Sequence, residues 1–124
     1  MAHPAFIVKT AKDGQFRFNL TAKNGEIIAT SESYKTKASC MNGIESVKKN
    51  APNAEVNGEK NPKFIVSTIK DGQFRFNLTA TNGEIIATSE SYKAQAGCIN
   101  GVESVKKNAP IAEIDDQTGQ VAAA

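Results

Sequence analysis

The ten residues DGQFRFNLTA occur twice, at Asp13–Ala22 and again unchanged at Asp71–Ala80. The 58-residue offset holds well beyond them, because 41 of the 53 residue pairs between 5–57 and 63–115 are identical. A tandem duplication this close requires both copies to adopt one fold. Two copies are too few for a solenoid, which needs about three or more stacked units to bury a continuous core. A closed two-fold pair is expected instead, with 5–57 as the first repeat and 63–115 as the second. Residues 58–62, polar and rich in turn formers, read as a linker, and residues 116–124 as a frayed tail. The two repeats are expected to form one structural domain.

Within a repeat, Phe6-Ile7-Val8-Lys9-Thr10 is short, β-branched and aromatic, the composition of a strand. Phe16 to Ala22 alternates apolar and polar residues and predicts a second strand. Glu26-Ile27-Ile28-Ala29-Thr30 predicts a third, after the Asn24-Gly25 turn. The first hairpin can be registered from its loop. A two-residue Asp-Gly turn would set Lys9 opposite Phe18 on the core face. A three-residue loop with Gly14 in the left-handed region pairs Val8 with Phe18 and Phe6 with Leu20, which brings apolar groups together. That register sends Phe6, Val8, Phe16, Phe18 and Leu20 to the core. Ile7, Lys9, Arg17, Asn19 and Thr21 then face away. The second hairpin stays open at this point, since one register puts Ile27 on the outer face and another puts Ile28 there.

A helix is expected over Lys37–Lys49, with Thr36 as its N-cap and Pro52 ending it. Cys40, Ile44 and Val47 form its apolar stripe, with Met41 and Ala38 beside it. The second copy has Ala94 at the capping position and should be capped less well. Gly43 and Gly101 sit mid-helix, where glycine costs about 1 kcal/mol relative to alanine. Close packing against the sheet or the other helix is the reading that offsets that cost. Short strands are expected at Ala54–Val56 and Ala112–Ile114. The fold class is therefore α+β: two tandem β(3)-α-β repeats forming one mainly antiparallel sheet, with two helices packed on it.

The linked patterns D-G-x-F-R-F-x-L, N-G-E-I-I-A-T-S-E and N-G-I-E-S-V-K-K-N-A resemble the YegP-like family of small bacterial tandem-repeat proteins of unknown function. The resemblance covers 6–56 and 64–114, with Val102 departing from the isoleucine of the third pattern. It implies a continuous sheet in which the repeats exchange their C-terminal strands. It implies no activity.

Composition narrows the function classes. The net charge of +2 is too small to indicate nucleic-acid binding by itself, and its excess lies in Lys9, Lys23 and Lys37, scattered along the first repeat. No apolar run approaches the ~20 residues of a membrane span. The opening Met1-Ala2-His3-Pro4 lacks the basic-then-apolar pattern of a secretory leader, so a cytoplasmic location is expected. Cys40 and Cys98 occupy equivalent positions and read as small buried apolar residues rather than reactive thiols. With one histidine, His3, no zinc set is expected. Phosphate-loop, dinucleotide and metalloprotease motifs are absent, and the serines have no evident base. No enzyme activity and no cofactor are expected. The candidate binding face is Arg17, Asn19 and Thr21 with Arg75, Asn77 and Thr79. Its expected occupant is a protein partner or a second copy. The alternative is a single nucleic-acid strand held weakly by Arg17/Asn19 and Arg75/Asn77, although Phe16 and Phe18, which could stack bases, point the other way. The plain reading of Arg17 is a solvated pair with Glu32.

A repeat of about 50 residues lies near the lower limit for folding alone, and its sheet edges would stand open. The expected outcome is that residues 4–58 expressed alone do not give a cooperative urea transition as a monomer. A sharp monomeric transition would show that one copy is self-sufficient.

Overall fold

The computed structural model describes residues 4–118. The first repeat contributes β1 (Ala5–Thr10), β2 (Phe16–Thr21), β3 (Ile27–Thr30), α1 (Lys37–Asn50) and β4 (Glu55–Val56). The second contributes β5 (Lys63–Thr68), β6 (Phe74–Thr79), β7 (Ile85–Thr88), α2 (Gln95–Asn108) and β8 (Glu113–Asp116). All eight strands join one sheet in the order β4-β5-β6-β7-β3-β2-β1-β8. The repeats meet at β3 and β7, which run antiparallel with Thr30 opposite Thr88. At the outer edges the pairing is parallel and crosses between repeats. β8 lies on β1, with Ala5 opposite Glu113 and Val8 opposite Asp116, and β4 lies on β5.

The first hairpin takes the three-residue loop. Ala11 N–H donates to the Gln15 carbonyl at 2.7 Å, Gly14 N–H donates to the Ala11 carbonyl at 2.9 Å, and Gly14 has φ +84°. Phe6 then pairs with Leu20 and Val8 with Phe18. In the second hairpin the register shifts: Leu20 faces Ala29 but Thr21 faces Ile27, so Ile28 is an extra residue. Such a bulge changes the pleat locally. Ile28 and Ala29 are both buried as a result, while Ile27 is 46% exposed.

The core lies between the sheet and the two helices. Phe6, Val8, Phe18 and Leu20 are fully buried, as are Cys40, Ile44 and Val47 from α1. Met41 is half-buried beside that stripe, whereas Ala38 is exposed. Each helix packs on its own repeat and across the seam, α1 reaching β7 and α2 reaching β3. Burying one large apolar side chain contributes about 1.5–3 kcal/mol, so two repeats sharing a core gain what neither has alone. Gly43 has a specific reason to be glycine. A Cβ there would overlap the Tyr34 hydroxyl, lie 2.7 Å from Tyr34 Cζ and sit 3.2 Å from Phe18 Cε2. Tyr34 stacks on Phe18 with ring planes 12° apart, and Phe18 meets Phe6 edge-on at 5.6 Å. The ring has no room to retreat, so close approach to the sheet explains the mid-helix glycine.

One boundary needs correction. Residues 116–124 were expected to fray, but Asp116 closes β8, and Gln117 N–H donates to the Val8 carbonyl at 2.8 Å. Asp116 also pairs with Lys37 at the start of α1, which holds its carboxyl down at about 2. An outer carbonyl on β1 and a nearby cation give this segment a seat that composition does not reveal. The rest of the expected tail, 119–124 with Val121, lies outside the described residues.

Thr36 caps α1, its Oγ1 accepting from Ser39 N–H at 3.0 Å, whereas Ala94 provides no side-chain cap for α2. Thr36→Ala is expected to cost about 1 kcal/mol, and Ala94→Thr to add a comparable amount. Urea titration of both variants checks this, and equal and opposite shifts in midpoint are the expected result.

Both cysteines are free and fully buried. Burial, with Asp116 adding to it, pushes the Cys40 thiol up to about 11, and burial raises Cys98 as well. Both thiols therefore stay protonated at neutral pH, in the form that does not attack electrophiles. A colorimetric disulfide reagent is expected to react with neither in the folded protein, and with both once urea unfolds it. Rapid reaction of the folded chain would contradict the burial.

Candidate functional site

The helices cover one face of the sheet, and the other carries the outward residues of each strand. Strand register sets those residues in a transverse row. Ile7 lies opposite Asn19, Asn19 opposite Thr30, and Thr30 opposite Thr88 across the seam. The row continues from Thr88 to Asn77 and from Asn77 to Ile65. Adjacent strands lie about 4.8 Å apart, so this line crosses six strands in roughly 24 Å. Asn19 Nδ2 donates to Thr30 Oγ1 at 2.9 Å, and Asn77 Nδ2 donates to Thr88 Oγ1 at 3.1 Å. Each bond uses one amide hydrogen and one hydroxyl lone pair. The amide oxygen and the hydroxyl hydrogen of each pair remain for a ligand.

Of the six residues expected on this face, Arg17 and Arg75 are exposed and Asn19 and Asn77 half-buried. Thr21 and Thr79 are instead buried, 5% and 2% exposed, and their hydroxyls are used inside the fold. Thr21 Oγ1 accepts from Ala5 N–H at 3.2 Å, and Thr79 Oγ1 accepts from Lys63 N–H at 3.0 Å. Thr79 also donates to Asn61 Oδ1 at 2.9 Å. A short hydroxyl beside the first residue of the neighbouring strand bonds that backbone, which alternation alone does not reveal.

The expected Arg17–Glu32 pair is also corrected. Arg17 Nη2 donates to Ser33 Oγ at 3.0 Å. The chain after β3 stays extended, and Tyr34 bridges Phe16 through two backbone bonds of 2.7 Å. That bridge places Ser33, not Glu32, beside Arg17.

Sequence reading missed the seam. A cleft of about 470 Å³ opens there, lined by Thr30, Ser31 and Glu32 of one repeat and by Arg75, Asn77, Thr88, Ser89 and Glu90 of the other. Its charge is mixed, one guanidinium with two carboxylates. Ser31 and Ser89 accept from Phe18 N–H and Phe76 N–H at 2.9 Å, so they hold the backbone rather than a ligand. The recurrence of Thr in both N-G-E-I-I-A-T segments was the available signal, but it needed the knowledge that β3 meets β7. Ile27 and Ile85, 46% and 43% exposed, add apolar surface near the seam. On the helix side Tyr34 is raised, chiefly by burial and then by Cys40, Glu32 and Glu84. It remains a neutral phenol. The arrangement offers hydrogen bonds, two guanidinium groups and apolar contact. His3 lies outside the described residues, and among those residues no helix is long and apolar enough to cross a membrane.

Comparison with known proteins matches this chain to relatives along nearly all its length. A UPF0339 protein of Pseudomonas aeruginosa is 47% identical over 113 residues, 91% of this chain and 96% of the relative. A UPF0339 protein of Yersinia pestis, YegP, is 41% identical over 118 residues, 95% of this chain and 99% of that one. The solution structure of yegP from E. coli, a protein of unknown function, superposes with a TM-score of 0.83 at 36% identity, covering 98% of each chain. That of a UPF0339 protein from Shewanella oneidensis gives 0.81 at 38% identity, covering 92% of this chain and 91% of that one. The model of the domain of unknown function DUF1508 matches twice, at 11–57 and 70–116, one match in each repeat. The chain is thus a tandem-repeat member of the DUF1508 family, in the YegP-like group of UPF0339 proteins.

Proposed function

We propose that this protein is a non-enzymatic binding module, acting in the cytoplasm, that takes a protein partner on the open face of its sheet. One observation carries the reading: a face with a bonded Asn-Thr-Thr-Asn row at its centre also presents Ile27 and Ile85 at 46% and 43% exposure. Apolar groups among hydrogen-bonding ones are the usual make-up of a contact surface. Arg17 and Arg75 flank the row, and arginine is a frequent anchor at protein interfaces. The single-stranded nucleic-acid alternative has the same arginines and asparagines in its favour. It lacks stacking groups, since Phe18 and Phe76 are buried on the helix side.

The test is capture from native lysate with the full chain as bait, followed by affinity measurement on the recovered partner. The Ile27→Asp/Ile85→Asp variant is expected to lose at least tenfold in affinity, about 1.4 kcal/mol, while its circular dichroism and melting temperature stay those of the parent. A partner retained unchanged by that variant would overturn the reading. Recovery of nucleic acid, released by salt and by Arg17→Ala/Arg75→Ala, would favour the alternative.

A further inference from the structure

The last turns of each helix face the Asn-Gly turn of the other repeat, and a cleft opens at each junction. The first cleft, about 360 Å³, lies between Ser46, Lys49 and Asn50 of α1 and Thr81 and Asn82 of the second repeat. The second, about 470 Å³, lies between Ser104, Lys107 and Asn108 of α2 and Lys23 and Asn24 of the first repeat, with Ile111 as an added wall. The two are counterparts under the internal two-fold, and none of these residues belongs to the open face of the sheet.

Both clefts have a buried asparagine against the helix. Asn50 is 6% exposed and Asn108 is 7% exposed. Each amide nitrogen donates twice, to the serine carbonyl and hydroxyl one turn back, at 2.9 and 3.0 Å for Asn50 and 2.8 and 3.0 Å for Asn108. These bonds fix which end of the amide is nitrogen and leave Oδ1 to be satisfied from the cleft. In the first cleft the Thr81 hydroxyl donates to Asn50 Oδ1 at 3.2 Å. In the second the equivalent residue is Lys23, and Asn108 Oδ1 accepts no bond from the described residues.

The other difference lies across the cleft. Asn53 follows α1 and turns its amide back onto the Lys49 carbonyl at 3.3 Å. Its counterpart Ile111 is 66% exposed and lines the second cleft. Relative to its twin, the second cleft has gained an ammonium, an open acceptor over a buried amide and an apolar wall. Lys23 and Lys107 line it together with Glu103, whose counterpart Glu45 lines the first cleft. Neither lysine forms an ion pair with another described residue, so the second cleft carries one more positive charge than its twin.

We infer that the second cleft binds a small apolar amino carboxylate. The carboxylate sits between the Lys23 and Lys107 ammonium groups. The N–H on the adjacent carbon donates to Asn108 Oδ1, and the side chain rests on Ile111. No buried side-chain oxygen among the described residues lacks a partner, so Asn108 Oδ1 opens to solvent at the cleft, where a ligand N–H can take the place of water. Paired ammonium groups recognise the carboxylate by charge-assisted bonds. A free amino acid and the C-terminal residue of a peptide share this chemistry.

The experiment is an amide-resolved NMR titration of the ¹⁵N-labelled full chain with L-leucine, N-acetyl-L-leucine and 4-methylpentanoate, the last lacking nitrogen. Saturable shifts at Lys23, Asn24, Ser104, Lys107, Asn108 and Ile111, without matching shifts at Thr81 and Asn82, are expected with a nitrogen-bearing ligand. Tighter binding of leucine identifies the free amino acid as the source, and tighter binding of its acetyl derivative identifies a peptide end. The des-amino acid should bind at least fivefold more weakly than the better of the two. Lys23→Thr, which installs the residue of the twin cleft, should weaken binding at least tenfold. Thr81→Lys/Asn53→Ile should create a second site and raise the stoichiometry from one to two. No saturable shift with either leucine ligand at about 10 mM, tenfold above a millimolar dissociation constant, would overturn the inference. So would shifts equal in both clefts, or binding unchanged in Lys23→Thr.

Discussion

The outer hydrogen-bonding groups of β1 and β5 govern this fold. In each repeat the first strand is flanked on one side by its hairpin partner and on the other by nothing of its own repeat. The groups on that side are met by the last strand of the other copy: Glu113 N–H donates to the Pro4 carbonyl, and Asn57 N–H to the Phe64 carbonyl. An open edge is a template for further pairing, and covering it from the other repeat removes that hazard at both ends of the sheet. The helices follow the same rule, because each connects a central strand to a strand at the far edge and so passes over the seam.

Duplication makes the halves alike, and the places where they differ are informative. Val8 is fully buried but Val66 is only half-buried, since β8 runs for four residues along β1 while β4 covers two residues of β5. Beyond β4, Asn57 turns into the left-handed region at φ +51°, and its side chain accepts from Val66 N–H at 3.1 Å. One amide group thus stands in where a longer strand would offer a carbonyl. The Lys23/Thr81 and Ile111/Asn53 differences are of another kind. They remove internal bonds without replacing them, which is why they stand out against 41 identical pairs.

Much of the fold was legible because period-two alternation and loop length over-determine a hairpin. Phe16, Phe18 and Leu20 can share a face with Phe6 and Val8 in only one register, and the three-residue loop gives it. The bulge was not legible, because Ile27, Ile28 and Ala29 are all apolar and no alternation marks the extra residue. Thr21 and Thr79 were read as available for a ligand but are buried, since pattern reports alternation and not whether a hydroxyl finds a backbone group. The ends of the site were visible as Arg17, Asn19, Arg75 and Asn77. Its centre, Thr30 against Thr88, depends on a contact between residues 58 apart that no local signal encodes. The same holds for both helix-side clefts.

The pairing of Ala5 with Glu113 has a consequence for how the protein comes into being. Strand β1 is finished only when β8, at the far end of the second repeat, has followed it out of the ribosome. Until then β1 can hold its hairpin but not its outer neighbour, and α1 has no β7 to rest on. Contacts this distant along the chain slow the search for the native state. The nascent first half therefore waits, half-dressed, for its twin, and the synthesis of the second copy sets the earliest moment at which the first can be complete.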